Sequence, residues 1–290
     1  LEFTNPVPEK IKEFFQMYSW SSFNASIDEV SAAQFLNFIT AETAGVWAFA
    51  GGNAEICERL YKKIQPTTDI QCSAFVADVQ KTADGYLATY IKDKQLFKIQ
   101  TKFIIFAAPK FLFDKVFSDD FNQLKKVTEK IEFRSYLVAN VDFDAAVELP
   151  GYDQFMLSGQ CPDAPAALKP PKLGFADIVN SNWAVDKNTS TSSITIYRPL
   201  PYTGARQFLF NPIAFEKNKN IILNELGERG FDLTKIKKTT ITRWGHAMPI
   251  ASKNLLASNV LSPIYPKAGQ SLYFAGQDVF VNPAFEAAFE

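Results

Sequence analysis

The sequence predicts an α/β chain organised as two lobes, one of them an α+β lobe built on an antiparallel sheet. Three observations carry this expectation. The chain has 290 residues, above the roughly 250 at which single hydrophobic cores tend to split. Its hydrophobic share of 47% against 21% charged residues is enough to bury a sizeable core. Stretches of helical period alternate with short runs of strand-forming residues, and no internal repeat marks a solenoid or propeller.

The opening stretch reads as helical. Ser31 followed three residues later by Gln34 fits a capping box, and Ala32, Phe35, Leu36 and Ile39 mark one face of a helix ending near Gly45. After Val46-Trp47-Ala48-Phe49-Ala50 come Gly51-Gly52-Asn53 and a stretch with Ile56, Leu60 and Ile64 at helical spacing, capped by Asn53 and stopped by Pro66. Residues 70–79 are strand-like, a turn over 81–85 leads into strand 86–91, and a further strand over 98–107 closes on Ala108-Pro109. The region therefore reads as an antiparallel ribbon feeding a buried strand. Residues 111–130 read as helix and Phe133 to Phe143 as an apolar strand. A loop-rich section from about 144 to 193 holds short strands at 154–157 and 173–179. A hairpin of 193–198 and 206–210 across Tyr202-Thr203-Gly204 follows, then a helix over 215–229. A strand at 239–244, a loop with Pro249, Pro263 and Pro266, a strand at 271–275 and a terminal helix complete the reading. A chain end inside that apolar helix, at Glu290, reads as truncation.

Thirty basic and thirty-one acidic side chains leave a net charge of -1. Basic residues cluster only in pairs such as Lys62-Lys63, Lys125-Lys126 and Lys237-Lys238, so no nucleic-acid partner is expected. Cys57, Cys72 and Cys161 are odd in number and lack C-x-x-C spacing, which argues against disulfides and structural zinc and for reduced core thiols. No apolar run approaches the ~20 residues of a membrane helix and no signal pattern opens the chain, so a cytoplasmic protein without a membrane partner is expected. Phenylalanine is the outlier, at 27 residues; these rings read first as core filling and second as the lining of an apolar ligand cavity.

Three constellations carry chemistry. Gly51-Gly52 before a helix could let a phosphate approach the positive helix end. The run Phe274-Ala275-Gly276-Gln277-Asp278 ends a strand at a glycine and follows it with a carboxylate able to accept a hydroxyl hydrogen bond. His246, the single histidine, stands in Arg243-Trp244-Gly245-His246-Ala247-Met248-Pro249. With no second histidine a multi-histidine metal site is excluded, while Trp244 and Gly245 suit a flat ring packed against backbone.

In order along the chain, Trp47-Ala48-Phe49-Ala50-Gly51-Gly52-Asn53, Phe75-Val76-Ala77-Asp78-Val79, Ile104-Ile105-Phe106-Ala107-Ala108-Pro109, Arg243-Trp244-Gly245-His246 and Leu272-Tyr273-Phe274-Ala275-Gly276-Gln277-Asp278 resemble the flavin-containing amine oxidoreductase superfamily. The nearest flavour is a bacterial subgroup of FAD-dependent oxidoreductases, and the pattern over 47–57 is also similar to prenylcysteine oxidases. The resemblance implies FAD as cofactor. Val76 would meet its adenine end through backbone, Ala108 and Pro109 would end a strand of the FAD lobe, and Gly276, Gln277 and Asp278 would touch the ribityl and pyrophosphate region. Trp244, Gly245 and His246 would lie near the isoalloxazine ring, with Trp244 and His246 as the catalytic candidates.

Two departures from that pattern matter. The strand-G-x-G-x-x-G-helix motif that seats the pyrophosphate is absent from these residues, so the chain is expected to be inactive and flavin-poor alone, and either to self-associate or to be less stable than the whole. The strand from Arg134 to Phe143 carries no lysine where many amine oxidases place one, so amine oxidation is not implied. The expected division is a partial FAD lobe at 46–112 and 268–290 and a substrate lobe at 1–45 and 113–267. The expected activity is hydride transfer from a small, largely apolar substrate to flavin N5; the alternative is a flavin-free module that binds an apolar ligand.

Overall fold

The computed structural model describes residues 7–45, 47–157, 174–184, 192–201, 204–284 and 286–288. In chain order it contains helices α1 (Glu9–Phe23), α2 (Ala32–Ala41) and α3 (Ala54–Ile64), then strands β1 (Phe75–Thr82), β2 (Gly85–Lys92), β3 (Gln95–Thr101) and β4 (Ile104–Phe106). Helices α4 (Phe113–Val116) and α5 (Asn122–Thr128) follow, then β5 (Phe133–Phe143), β6 (Asp153–Phe155), β7 (Asp177–Asn180) and β8 (Ser192–Leu200). The chain continues through α6 (Ala205–Phe210), α7 (Pro212–Glu228), β9 (Ile236–Pro249) and β10 (Leu272–Phe274). It divides into two compact units, residues 1–59 with 133–248 and residues 60–132 with 249–290.

The first unit is a five-stranded sheet in the order β6-β7-β8-β5-β9, with β6, β7, β8 and β5 antiparallel in turn. Strand alternation separates its two faces. Ile194 and Ile196 of β8, Ile178 of β7 and Ala139, Val141 and Phe143 of β5 turn to one side, where Ile222 and Leu226 of α7 close a core that is almost wholly excluded from water. Helix α7 starts where Asn211 accepts hydrogen bonds from the N–H groups of Ile213 (2.9 Å) and Ala214 (3.3 Å), with Pro212 in the first turn. Helix α1 ends at Asn24, whose φ of 52° is left-handed. Its side chain donates to the Ser135 carbonyl (2.7 Å), while Arg134 donates to the Asn24 carbonyl (3.0 Å) and pairs with Glu29 (2.8 Å). This fastens the helix pair to β5. Tyr18 and Phe23 of α1 receive Phe35 and Phe38 of α2 edge-on or stacked.

The second unit joins an antiparallel meander, β1-β2-β3, with a parallel pair, β4 and β10. Gly85 is required at the first turn, because a Cβ there would meet the Thr101 carbonyl oxygen. Asp93 and Lys94, both at positive φ (49° and 63°), make the second turn. The interior is aromatic. Phe113 stacks on Phe117 at 4.1 Å, and Phe106, Phe121 and Phe274 close around them at 5.0–6.2 Å.

Several expectations are corrected. The run 98–107 is two strands, split at Lys102-Phe103, with β3 in the meander and β4 in the parallel pair. Residues 206–210 form α6 rather than a hairpin strand, because Ala205 and Leu209, four apart, bury one helical face; Tyr202 and Thr203 of the expected turn lie outside the described residues. The 111–130 helix is broken by Phe117-Ser118 into α4 and α5. Ser31 precedes α2 without a side-chain cap, and Leu36 is 59% exposed, so the packed face is Phe35, Phe38 and Ile39. Near the C-terminus only a 3-10 turn, Glu286–Ala288, stands among the described residues where a helix was expected. Cys57 and Cys72 are exposed thiols rather than core ones, and Cys161 lies outside the described residues.

Candidate functional site

The expected site residues fall in both units. Parallel pairing of β4 with β10, Ile104 beside Leu272 and Phe106 beside Phe274, brings the carboxyl ends of two strands of the second unit together. Open α/β sheets bind ligands at such ends. Here the chain leaves β4 as Ala107-Ala108-Pro109-Lys110 and leaves β10 as Ala275-Gly276-Gln277-Asp278, so five of the expected positions, Ala108, Pro109, Gly276, Gln277 and Asp278, share one neighbourhood.

The fastener between them is Lys110. Its ammonium, 0% exposed, donates to Asp278 Oδ1 (2.8 Å), the Ala275 carbonyl (2.6 Å) and the Ala108 carbonyl (3.2 Å), while its backbone N–H donates to Asp278 Oδ2 (2.8 Å). All three ammonium protons are satisfied. Burial lowers the Lys110 pKa below that of a free lysine, and Asp278 opposes the shift. Both carboxylate oxygens of Asp278 are engaged within the chain. At Gly276, φ +123°, a Cβ would stand 3.2 Å from Asp278 Oδ1 and 3.4 Å from the Lys110 ammonium, so the tight turn and the ion pair require a glycine. Gln277 contributes its carbonyl to the N–H of Asn282 (3.0 Å).

Val76 sits on β1 opposite Tyr90 and is 42% exposed, beside a bulge before Asp78. Gly51 and Gly52 are at left-handed φ, +91° and +74°. Their N–H groups already donate, Gly51 to the Ala184 carbonyl (2.9 Å) and Gly52 to that of Phe49 (2.8 Å), and Glu55 adds a carboxylate to the first turn of α3. That negative charge, paired with Arg59 at 2.6 Å, works against an anion at this helix end.

Trp244, Gly245 and His246 are consecutive on β9 in the first unit. Trp244 is 52% exposed. The Gly245 carbonyl accepts from Arg206 Nε (3.0 Å) and from the Ser135 hydroxyl (3.1 Å), and a Cβ on Gly245 would press on the Arg206 side chain at 3.3 Å. His246 meets the Phe133 ring edge-on at 6.0 Å. Partial burial, reinforced by the Arg206 charge, lowers the imidazole pKa to about 4, so it is neutral at physiological pH. An imidazole with that pKa stays neutral and exchanges protons poorly near pH 7.

Sequence reading missed Lys110 and Arg206. The Lys110–Asp278 pairing spans 168 residues and shows only once β4 and β10 are paired. Among the described residues no group of three or more His, Cys, Asp or Glu could hold a metal ion, and no helix is long and apolar enough to cross a membrane.

No family model matches the chain, and no curated protein matches it. Solved structures do. The chain superposes on the CLA-producing fatty acid isomerase from P. acnes with a TM-score of 0.64 at 15% identity, covering 95% of this chain and 60% of that one. Cyclohexylamine oxidase from Brevibacterium oxydans IH-35A gives 0.61 at 12% identity, covering 98% and 62%. The fold is amine oxidase-like. Reduced UDP-galactopyranose mutase shares it, with a TM-score of 0.61 at 9% identity over 92% of this chain and 60% of that one. The chain thus spans about three fifths of the length of these proteins.

Proposed function

We propose that these residues belong to an FAD-dependent oxidoreductase acting on a largely apolar substrate. The observation that supports the reading most is the joined carboxyl ends of β4 and β10, with their Gly276 turn, within an amine oxidase-like fold. FAD, when bound, supplies the hydride acceptor.

The residues present fit the cofactor through backbone more than through side chains. At the strand ends, Ala108, Pro109 and the Gly276 turn offer a close backbone approach, held rigid by Lys110 and Asp278, whose own charges are spent on each other. Val76, at the exposed start of β1, would meet adenine by its main chain. On β9, Trp244 would present a flat apolar wall to the ring system. His246, kept neutral, would orient the substrate by a hydrogen bond while its apolar neighbours exclude water. In this reading the unit built on the five-stranded sheet holds the substrate and the unit containing β4 and β10 holds cofactor. One observation favours the alternative, a flavin-free module for an apolar ligand: the Gly51 and Gly52 N–H groups and the Asp278 carboxylate are already taken.

Equilibrium dialysis of the purified chain against FAD separates the two readings. The chain is expected to purify without stoichiometric flavin absorbance and to bind added FAD weakly but saturably. Gly276→Val, which collides with the turn, should abolish that binding. Absence of any saturable binding would overturn the flavin reading and leave the module.

A further inference from the structure

The sheet face that α7 covers ends in a cavity of about 670 Å³, a volume in the range of small-molecule sites. Its floor is Phe143 at the end of β5, Met156 just after β6 and Ile178 of β7, all buried members of the α7 core. Val147, Leu149 and Phe231 form its apolar sides, and the Phe231 ring stacks on Phe143 at 6.1 Å and 28°. Gly230, at φ 90°, turns the chain out of α7, and the Phe231 N–H bonds back to the Leu226 carbonyl at 3.1 Å.

This cavity is remote from Trp244 and His246. Asp144, next after Phe143, donates its N–H to the Lys235 carbonyl (2.9 Å), whereas the Gly245 carbonyl accepts from Ser135 near the other end of β5 (3.1 Å). At ~3.3 Å per residue, Ser135 and Phe143 lie about 26 Å apart along the strand.

Charged side chains stand only at the mouth, where Glu148, Glu228, Arg229, Asp232 and Lys235 are all exposed. Arg229 is held by Glu225 (2.7 Å), and Asp232 accepts from the N–H (3.0 Å) and the hydroxyl (2.6 Å) of Thr234. Exposed charges of both signs give neither a cation nor an anion much advantage. An ion pushed onto the Phe143–Met156 floor would lose its water and find no partner. Uncharged polar groups line the sides instead. Gln154 is one, and among the described residues the backbone from Ala145 to Leu149 is engaged only at Val147, whose N–H donates to Ser192 (2.8 Å) and whose carbonyl accepts from Asn182 (3.4 Å). Aromatic rings and a thioether favour another ring, and the neighbouring peptide groups favour a neutral hydrogen-bonding edge on it.

We propose that this cavity is a second ligand site, taking an uncharged, flat heteroaromatic molecule whose ring packs on Phe231 and Met156 and whose polar edge meets the 145–149 backbone. The site depends neither on flavin nor on the substrate reading of β9.

The chain has three methionines, and each reports a different place: Met156 the cavity, Met17 helix α1 and Met248 the stretch of β9 just beyond His246. Carbon-13 methyl spectra of the flavin-free chain titrated with indole should show the Met156 signal shifting saturably while Met17 and Met248 stay in place. Indole-3-acetate and tryptamine, an anion and a cation on the same ring, should bind at least fivefold more weakly than indole. Ala146→Phe, which puts a ring in the mouth, should weaken indole at least tenfold. Should that variant not fold, Phe231→Leu, which keeps bulk without the ring, should weaken it at least threefold. No saturable shift at Met156, a shift at Met17 or Met248 instead, an ion bound as tightly as indole, or unchanged affinity in the folded variant would overturn the proposal. Because the oxidoreductase reading is tested with FAD at the β4–β10 strand ends, either can fail while the other stands.

Discussion

The five-stranded sheet of the first unit and the β4–β10 pair of the second bury their apolar residues to very different degrees. On the sheet, Ile178, Ile194, Ile196 and Phe143 are each at most 1% exposed, closed over by α7. In the parallel pair, Ile105 between two inward neighbours is 70% exposed and Phe103 just before it 62%. An antiparallel sheet can carry one wet face, whereas parallel strands are ordinarily covered on both. The first unit therefore completes its own core. Among the described residues, the second uses one face of its parallel strands for an aromatic core and fixes the strand ends with a buried ion pair.

That contrast predicts where charge matters most. Lys110→Met leaves the Asp278 carboxyl group, 5% exposed, without its ammonium partner, a situation that costs about 3–5 kcal/mol. The double variant Lys110→Met with Asp278→Leu removes both charges and should recover most of the loss. Chemical denaturation monitored by circular dichroism measures both. A single variant as stable as the parent would mean that the strand ends hold without the pair.

A core substitution in the sheet should cost somewhat less. Ile196→Ala removes a side chain that is fully buried between β7, β5 and α7. The expected loss is about 2–5 kcal/mol, the spread reflecting how far the cavity can close. A loss below ~1 kcal/mol would show that the sheet core is not the self-sufficient element its burial indicates.

These regions were not equally legible in the sequence. The strand Phe133–Phe143 reads at its observed bounds because aromatic and aliphatic residues, Phe133, Tyr136, Leu137, Val138, Val141 and Phe143, recur along it between Glu132 and Asp144. The apolar period of α7 marks it in the sequence, although Asn211 and Pro212, its real start, carry no such period. The turn at Asp93-Lys94 went unread because it lacks the Asn-Gly or Asp-Gly pair that usually marks two left-handed residues. At the strand ends, Ala108, Pro109, Gly276 and Asp278 were legible from order along the chain, but Lys110 was not. Its partner lies 168 residues away and only strand pairing joins them. The cavity beside Phe143 was invisible for the same reason: nothing near Met156 in sequence announces that Phe143 and Phe231 share it.

The smallest expected effect falls on the exposed face. Ile105→Thr keeps a β-branched side chain in β4, so strand preference changes little, and the side chain lost is already mostly in water. Unfolding free energy should shift by less than about 0.5 kcal/mol, against the several expected at Ile196. An exposed strand with apolar neighbours such as Phe103 offers both a hydrophobic patch and unpaired backbone groups to another copy of the chain. The same substitution should therefore lower concentration-dependent association measured by sedimentation velocity, while leaving stability at infinite dilution unchanged. If Ile105→Thr instead destabilises as much as Ile196→Ala, the face is covered in solution by something that buries it fully, and the difference between the two sheets disappears. If stability and association are both unmoved, the exposed residues are simply solvated, and the second unit is held by its aromatic core and the Lys110–Asp278 pair alone.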